Sequence, residues 1–229
     1  MAAATGIQEG WRRLAGRRLS PSEIFPPLGE EIGRWRPYLR GRVLNAGAGD
    51  RDLRPFVDGE VVNLDIEEGL HNRGIDVYGR LDDIPFGDEH FDVAFCNAVL
   101  EHVEDPAAVV NELSRVLRPG GLLYLTVAFL QPEHMDPGDY CRFSRDGLRR
   151  LVREAGCQPL VAEGVHSVYQ TLAWIADEWL GPRRDVRAAV AKTVLFPYLR
   201  RKCRRSSDCV ETVASAHRVV AVRLPAPAV

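Results

Sequence analysis

Nowhere in the 229 residues do 18 apolar residues run without interruption, so no stretch has the length to cross a bilayer as a helix. CxxC pairs are missing too. Cys96, Cys141, Cys157, Cys203 and Cys209 are an odd, scattered set in a chain too large to need disulfide staples, and reduced thiols without zinc are expected. Neither sign of charge dominates: 30 Lys and Arg stand against 32 Asp and Glu, for a formal net charge of -2. No global field therefore draws nucleic acid, and no basic and aromatic residues interleave into a surface that would read it. Arg12, Arg13, Arg17 and Arg18 lack the apolar core that follows the basic start of a leader peptide, so a cytoplasmic location is expected. There is no internal repeat.

The 45% hydrophobic content is enough to bury the core of one globular unit. From residue 42 onward, short β-branched runs alternate with amphipathic stretches, the pattern of strands joined by crossover helices. Candidate strands are 42–47, 60–65, 75–80, 91–99 and 121–129, with weaker ones at 158–165 and 217–224. One helix has Asp105 as its cap and Pro106 in its first turn, buries Val109, Val110, Leu113, Val116 and Leu117, and is stopped by Pro119, Gly120 and Gly121. A second starts at Ser144 and buries Leu148, Leu151, Val152 and Ala155. Residues 1–41, broken by Pro21, Pro26, Pro27 and Pro37, are expected to be a helical or irregular lead-in to a domain over 42–229. That domain has a helical insertion at 167–210, where Val168, Leu172, Ile175, Ala176 and Trp179 share helical spacing, and Trp174 and Trp179 are assigned to its core.

The stretch VLNAGAGD, 43–50, carries chemistry. Gly47 and Gly49 follow an apolar strand, as needed where backbone passes close to a ligand, and Asp65 closes the next strand at the offset where a carboxylate accepts ribose hydroxyls. The bland alternative is a tight turn with Asp65 merely solvated. A nicotinamide dinucleotide wants GxGxxG, but Asp52 occupies the third glycine's place and Asp50 precedes it, so two carboxylates would repel a pyrophosphate. A cofactor with a cationic or zwitterionic arm fits better, and an NAD(P)-dependent oxidoreductase ranks last.

From 40 to 156 the chain resembles the class I S-adenosylmethionine-dependent methyltransferases of the small-molecule kind called type 11. The resemblance rests on VLNAGAGD, on VVNLDI, and above all on DDIPFGDEHFDVAFCNAVLEHVEDPAAVVNELSRVLRPGGLLYLTV, continued by PEHMDPGDYCRFSRDGL. It implies an α/β, Rossmann-like, mostly parallel seven-stranded sheet in the order 3-2-1-4-5-7-6 with helices on both faces. It also implies that Gly47 and Gly49 lie under the methionine part of S-adenosylmethionine and that Asp65 takes the ribose. Ile66 packs on adenine, Leu81 and Asp82 border its amino edge, and Asn97 and Ala98 edge the sulfonium. Two positions depart from the pattern: Asn45 replaces an acid but keeps a carbonyl for the cofactor's ammonium, and Arg80 stands where many relatives place Asp.

Methyl transfer needs in-line positioning and a base, and a histidine suits that task. His134 is the leading candidate and His102 the second, each with a structural alternative as a loop or cap residue. Glu101 can orient either, and Asp136 and Asp139 cluster after His134. Tyr140 and Arg142 are candidate acceptor-binding residues, although Arg142 is equally able to pair with a carboxylate. Asp92, His71, His90, His166 and His217 are read as structural. The expected function is methylation of an oxygen or nitrogen of a small metabolite such as a sugar, nucleoside or biosynthetic intermediate. Its rival is a catalytically silent binding partner of the same fold. The basic run RRKCRR follows an apolar TVLFPYL, and 194–205 is a candidate for weak contact with a membrane or a phosphorylated substrate.

Overall fold

The computed structural model describes residues 16–67, 74–135 and 137–225. Arg12, Arg13, His71 and Asp136 lie outside the described residues. The chain divides into two compact units where one globular unit was expected: a sheet unit from residues 28–129, 133–164 and 216 onward, and a helical unit from the lead-in up to Pro27, from 130–132 and from 165–215.

The sheet unit contains strands β1 (Arg40–Ala46), β2 (Asp58–Asp65), β3 (Val77–Tyr78), β4 (Phe91–Asn97), β5 (Leu117–Ala128), β6 (Cys157–Val165) and β7 (Ala216–Arg223). Their order, β3-β2-β1-β4-β5-β7-β6, is the expected one. β1 to β5 pair in parallel, and β7 runs antiparallel beside β5. Alternation along the strands gives each face its own core. Leu44, Ala46, Leu64, Ala94, Cys96 and Leu125 point to one side, under helices α3 (Pro106–Val116) and α4 (Arg145–Glu154). Val43, Val61, Val93, Phe95 and Tyr124 point to the other, beneath Ile32, Trp35 and Leu39 from a one-turn helix, α2 (Leu28–Glu31), and the 3-10 stretch that follows it.

Local chemistry starts the two longer helices where expected. The Asp105 carboxylate accepts from the amides of Ala107 and Ala108, both at 3.0 Å, and the Ser144 hydroxyl accepts from Gly147 at 3.2 Å. The end of α3 differs from expectation. It stops at Val116; Leu117 already pairs with Phe91, and pairing resumes with Leu122 opposite Val93. Pro119, Gly120 and Gly121 therefore form a bulge in β5 instead of the helix stop. β3 is only two residues long. The crossover from β1 to β2 holds one 3-10 turn, Arg54–Phe56, and no α-helix, because Gly47, Gly49 and Pro55 break so short a segment; Leu53, fully buried, plugs it into the core.

In the helical unit, α1 (Pro21–Ile24) packs with α5 (Val168–Leu180) and α6 (Val186–Cys203) around Leu19, Ile24, Ala173, Leu180, Phe196 and Leu199. Which side of α5 faces inward differs from the reading of its spacing. Leu172, Ile175 and Trp179 are 48%, 45% and 61% exposed, so Trp179 is not a core residue, while Trp174 does pack, edge-on to Phe25 at 5.3 Å. The inward side carries Asp177, whose carboxylate accepts from Arg18 and from the amide of Leu19, each at 2.7 Å. An ion pair with the lead-in selects the less apolar side, and hydrophobic spacing cannot register that. Buried Lys192 donates to the carbonyls of Gly181 (2.9 Å) and Arg183 (2.8 Å), and so caps the end of α5.

Candidate active site

The first half of the site is main chain. Gly47 and Gly49 have φ of 68° and 54°, in the left-handed region that favours glycine. A Cβ on Gly47 would lie 2.5 Å from the Val99 side chain. The amides of Gly47 and Ala48 donate to the Leu64 carbonyl at 2.9 and 3.1 Å, which ties the turn to β2. The Asp65 carboxylate, half-buried, accepts from Gly49 N (2.6 Å) and Ile66 N (2.7 Å), one bond on each oxygen. Each oxygen keeps a second lone-pair direction for a hydroxyl.

The structure gives a physical reason for Asn45. It is 2% exposed, and its amide donates to the Arg51 carbonyl (2.8 Å) and to Oδ1 of buried Asn63 (3.0 Å). An aspartate there would oppose two acceptors with a buried charge. Arg51, which the reading of the turn overlooked between two acids, reaches across to donate to the Asn97 carbonyl at 3.0 Å, placing a cation at the gap between the tips of β1 and β4. Ala98, next to Asn97, holds φ 56° and donates to the Thr126 carbonyl at 2.8 Å, a strained conformation for a non-glycine residue at this strand end. Leu81 is 7% exposed. Asp82 is held bidentately by Arg80 at 2.8 and 2.6 Å, and that guanidinium keeps its carboxyl below the usual range.

The second half is side chain. A 3-10 turn, Leu100–His102, follows β4, and the loop at 133–142 returns over it, with Tyr140 N donating to the Glu101 carbonyl at 2.8 Å and Cys141 Sγ to Leu100 O at 3.3 Å. That return brings His134 to His102, with ring centroids 4.9 Å apart and planes edge-on. His102 Nδ1 lies 2.5 Å from the Gly138 carbonyl. A carbonyl only accepts, so Nδ1 carries the hydrogen, and Nε2 is the basic nitrogen of the neutral ring. The His134 amide donates to Asp139 Oδ2 at 2.8 Å, and its ring Nδ1 lies 3.7 Å from the same oxygen. Asp139 is clamped by both terminal nitrogens of Arg142, whose charge drives its carboxyl far below the ordinary value. Arg142 therefore has the carboxylate partner that was one of the two options for it. Tyr140 is 56% exposed.

Glu101 lies between the halves. It is fully buried; Oε1 accepts from Ala128 N at 3.2 Å, while Oε2 has no hydrogen-bond partner. Burial raises its carboxyl pKa, against a downward pull from His102 and His134. Burial likewise pushes up the Cys96 thiol, with the charges of Glu101 and Asp65 both adding to the effect. One ligand atom each from Glu101, His102 and His134 lie within 4.8 Å of one another. This is a donor set of the type that holds zinc or iron, about which cysteine spacing says nothing. Two atoms bound to one ion at about 2.1 Å can stand at most about 4.2 Å apart, so the set would have to close before it clasped a metal.

Among the residues read as structural, Asp92, His90, His166 and His217 each have a partner within the protein. Asp92 accepts from Arg42 N (2.7 Å) and pairs with Arg118 (2.8 Å). His217 donates to the Phe143 carbonyl (2.9 Å), His166 bonds Ser215 (2.6 Å), and His90 stacks on Phe86. All five cysteines are free.

Residues 44–125 match the family model described as a methyltransferase domain. Among curated relatives, the chain is 32% identical over 121 residues to the ubiquinone/menaquinone biosynthesis C-methyltransferase of a Shewanella species, covering 45% of this chain and 48% of that protein. It is 29% identical over 185 residues to the ubiquinone biosynthesis O-methyltransferase of Thiobacillus denitrificans, covering 63% and 79%. This chain spans about half the length of the C-methyltransferase relatives it matches. A solved geranyl diphosphate methyltransferase in complex with S-adenosylmethionine aligns with a TM-score of 0.54 at 16% identity over 86% of this chain and 85% of that one, a likeness of fold.

Proposed function

Because the chain carries a methyltransferase domain of the S-adenosylmethionine-dependent class I family, we propose that it transfers a methyl group from that cofactor to an oxygen or nitrogen of a small metabolite. The observation that carries the reading is the bare turn at Gly47–Gly49 with the Asp65 carboxylate fixed beside it. Asp65 takes the ribose hydroxyls, Ile66 and Leu81 flank the base, and Arg51 opposes the carboxylate of the amino-acid arm. Bound there, the cofactor supplies a methyl on a sulfonium whose leaving sulfur is neutral, so the protein contributes positioning and proton removal.

His134 is the base. Asp139, kept ionised by Arg142, stabilises the imidazolium that forms, and His102, oriented by Gly138, stands beside it. Buried Glu101 gives the proton a second resting place. A sugar, a nucleoside or a biosynthetic intermediate suits such a site, and the quinone-pathway names of the two curated relatives support a small acceptor.

The test is twofold. Adenosylhomocysteine should raise the melting temperature in proportion to the logarithm of its concentration, and label from the methyl donor should enter a metabolite fraction. Activity should survive a chelator; its loss would put a divalent ion rather than a proton among Glu101, His102 and His134. A silent binding partner, favoured only by the Arg80–Asp82 pair that occupies the adenine-edge acid, would bind without transferring label.

A further inference from the structure

Residues 165–215 hold nine Lys and Arg against five Asp and Glu, in a chain whose overall balance is slightly acidic. The excess concentrates on α6, Val186–Cys203, which has no acidic residue at all. Its inner side is filled by Ala188, Ala189, Lys192, Phe196 and Leu199. Its outer side is apolar. Val186, Val190, Val194 and Tyr198 are 67%, 52%, 71% and 49% exposed. At four-residue spacing they drift only about 40° per step, so they form one stripe along the helix. Neighbouring α5 exposes Leu172, Ile175 and Trp179 at the i, i+3, i+7 positions of a second stripe. A soluble helix normally buries such a face.

At its C-terminal end the α6 stripe runs into a cavity of about 500 Å³, lined by Tyr198, Arg201, Lys202, Arg205 and the loop 206–208. The Lys202 ammonium is held 5.0 Å over the Tyr169 ring and 6.0 Å over Tyr198, at the junction of stripe and cavity. Arg200 next to it is paired with Glu23 at 3.1 Å, but Arg201, Lys202 and Arg205 have no carboxylate partner among the described residues. Asp208 also lines the cavity and accepts from the Ser206 hydroxyl at 2.9 Å, so one negative charge faces three cations.

We propose that the outer face of α6, with the basic cavity at its end, docks on an anionic phospholipid surface: the cavity takes headgroup phosphate, and the stripe enters the headgroup–acyl boundary. An apolar face ending in three cations against a single acid is the composition of an interfacial helix. Each cation near an anionic leaflet strengthens binding about fivefold. The same charge argues against a second copy as the occupant, since two such helix ends would repel. No helix among the described residues is long and apolar enough to cross a membrane, so the contact is with one leaflet. This inference does not depend on methyl transfer, and failure of either leaves the other standing.

The experiment uses the full chain with vesicles of phosphatidylcholine containing 30 mol% phosphatidylglycerol, and with phosphatidylcholine alone. Sedimentation with the anionic vesicles, at least tenfold above the neutral ones and weakened by salt, is expected. The triple variant R201A/K202A/R205A should lose on the order of a hundredfold, and V190S/V194S should lose binding while keeping the wild-type melting temperature, because both valines are exposed. Equal binding to neutral vesicles, or none to either, overturns the proposal. So does release by millimolar inorganic phosphate at constant ionic strength, which would make the cavity a site for soluble anions. A dimer in light scattering that V190S/V194S converts to monomer overturns it as well, with a second copy as the occupant.

Discussion

At the tip of β1, hydrogen bonds to the turn come from the main chain or from the carboxylate that ends the very next strand. Beyond β4, a glutamate, two histidines, an aspartate and an arginine converge from segments more than thirty residues apart in the chain. The first half is tied together by main-chain amides and one carboxylate; the second is assembled from long-range hydrogen bonds together with the Asp139–Arg142 ion pair. Binding and chemistry should therefore be separable, one half to each.

The largest expected effect tests that separation. His134→Ala should lower kcat by roughly 10²- to 10⁴-fold, the usual value of general-base assistance, with the cofactor's Kd within about twofold of wild type. Asp65→Ala should do the opposite, weakening cofactor binding by about 10- to 100-fold, as expected on removing a charged acceptor. Calorimetric titration with adenosylhomocysteine alongside single-turnover transfer reads both. If His134→Ala loses cofactor affinity as well, the halves are one unit and the distinction fails.

Next come the two buried acids of the histidine half, which should respond to pH with opposite signs. Asp139→Asn leaves Arg142 without its clamped partner and should cost about 2 kcal/mol at pH 7. Because the folded Asp139 carboxyl lies below its ordinary value, its contribution is complete above about pH 4 and disappears as pH falls through the folded value, so wild type and variant should converge in acid. Glu101 is the reverse. Its carboxyl is raised by burial, so the folded state holds that proton more tightly, and stability declines as pH rises above about 4.3. Glu101→Gln removes that decline and should be the more stable protein at pH 8, with little difference at pH 4; unfolding curves at the two values decide it.

The two halves also differed in how far they could be read from residues alone. The Asp105 and Ser144 caps and the Gly47–Asp65 cradle follow from local patterns, because each depends on neighbours within about twenty positions, whereas the strand order, in which β1 pairs with β4 and β5 with β7, was implied only by the family resemblance. Several of the residues overlooked or misread depend on distant partners. Arg51 matters through Asn97, whereas the Asp139–Arg142 clamp is local and was one of two options that spacing left open. Trp179 faces outward because Asp177 is tied to Arg18 and Leu19, a link across more than 150 residues. Asn45 looked like a lost acid until Asn63 and the Arg51 carbonyl appeared opposite its amide. An unpartnered carboxylate oxygen such as that of Glu101 leaves no trace in spacing at all.

The smallest effect concerns the residue that most resembled a defect. Arg80 is 73% exposed, and its pair with Asp82 has the strength of a surface ion pair, between about 0 and 1 kcal/mol. Arg80→Ala should leave stability within about 0.5 kcal/mol of wild type. It should also free the Asp82 carboxylate to accept from an adenine amino group, tightening adenosylhomocysteine binding by about two- to fivefold at low salt and less at high salt. The outcome sharpens the contrast between the halves: a gain would mean that the half proposed to hold the cofactor has a contact at its adenine edge that Arg80 controls by charge. A tenfold loss would mean instead that the guanidinium itself holds the base, and Arg80 would join Arg51 as a cation on which that half depends.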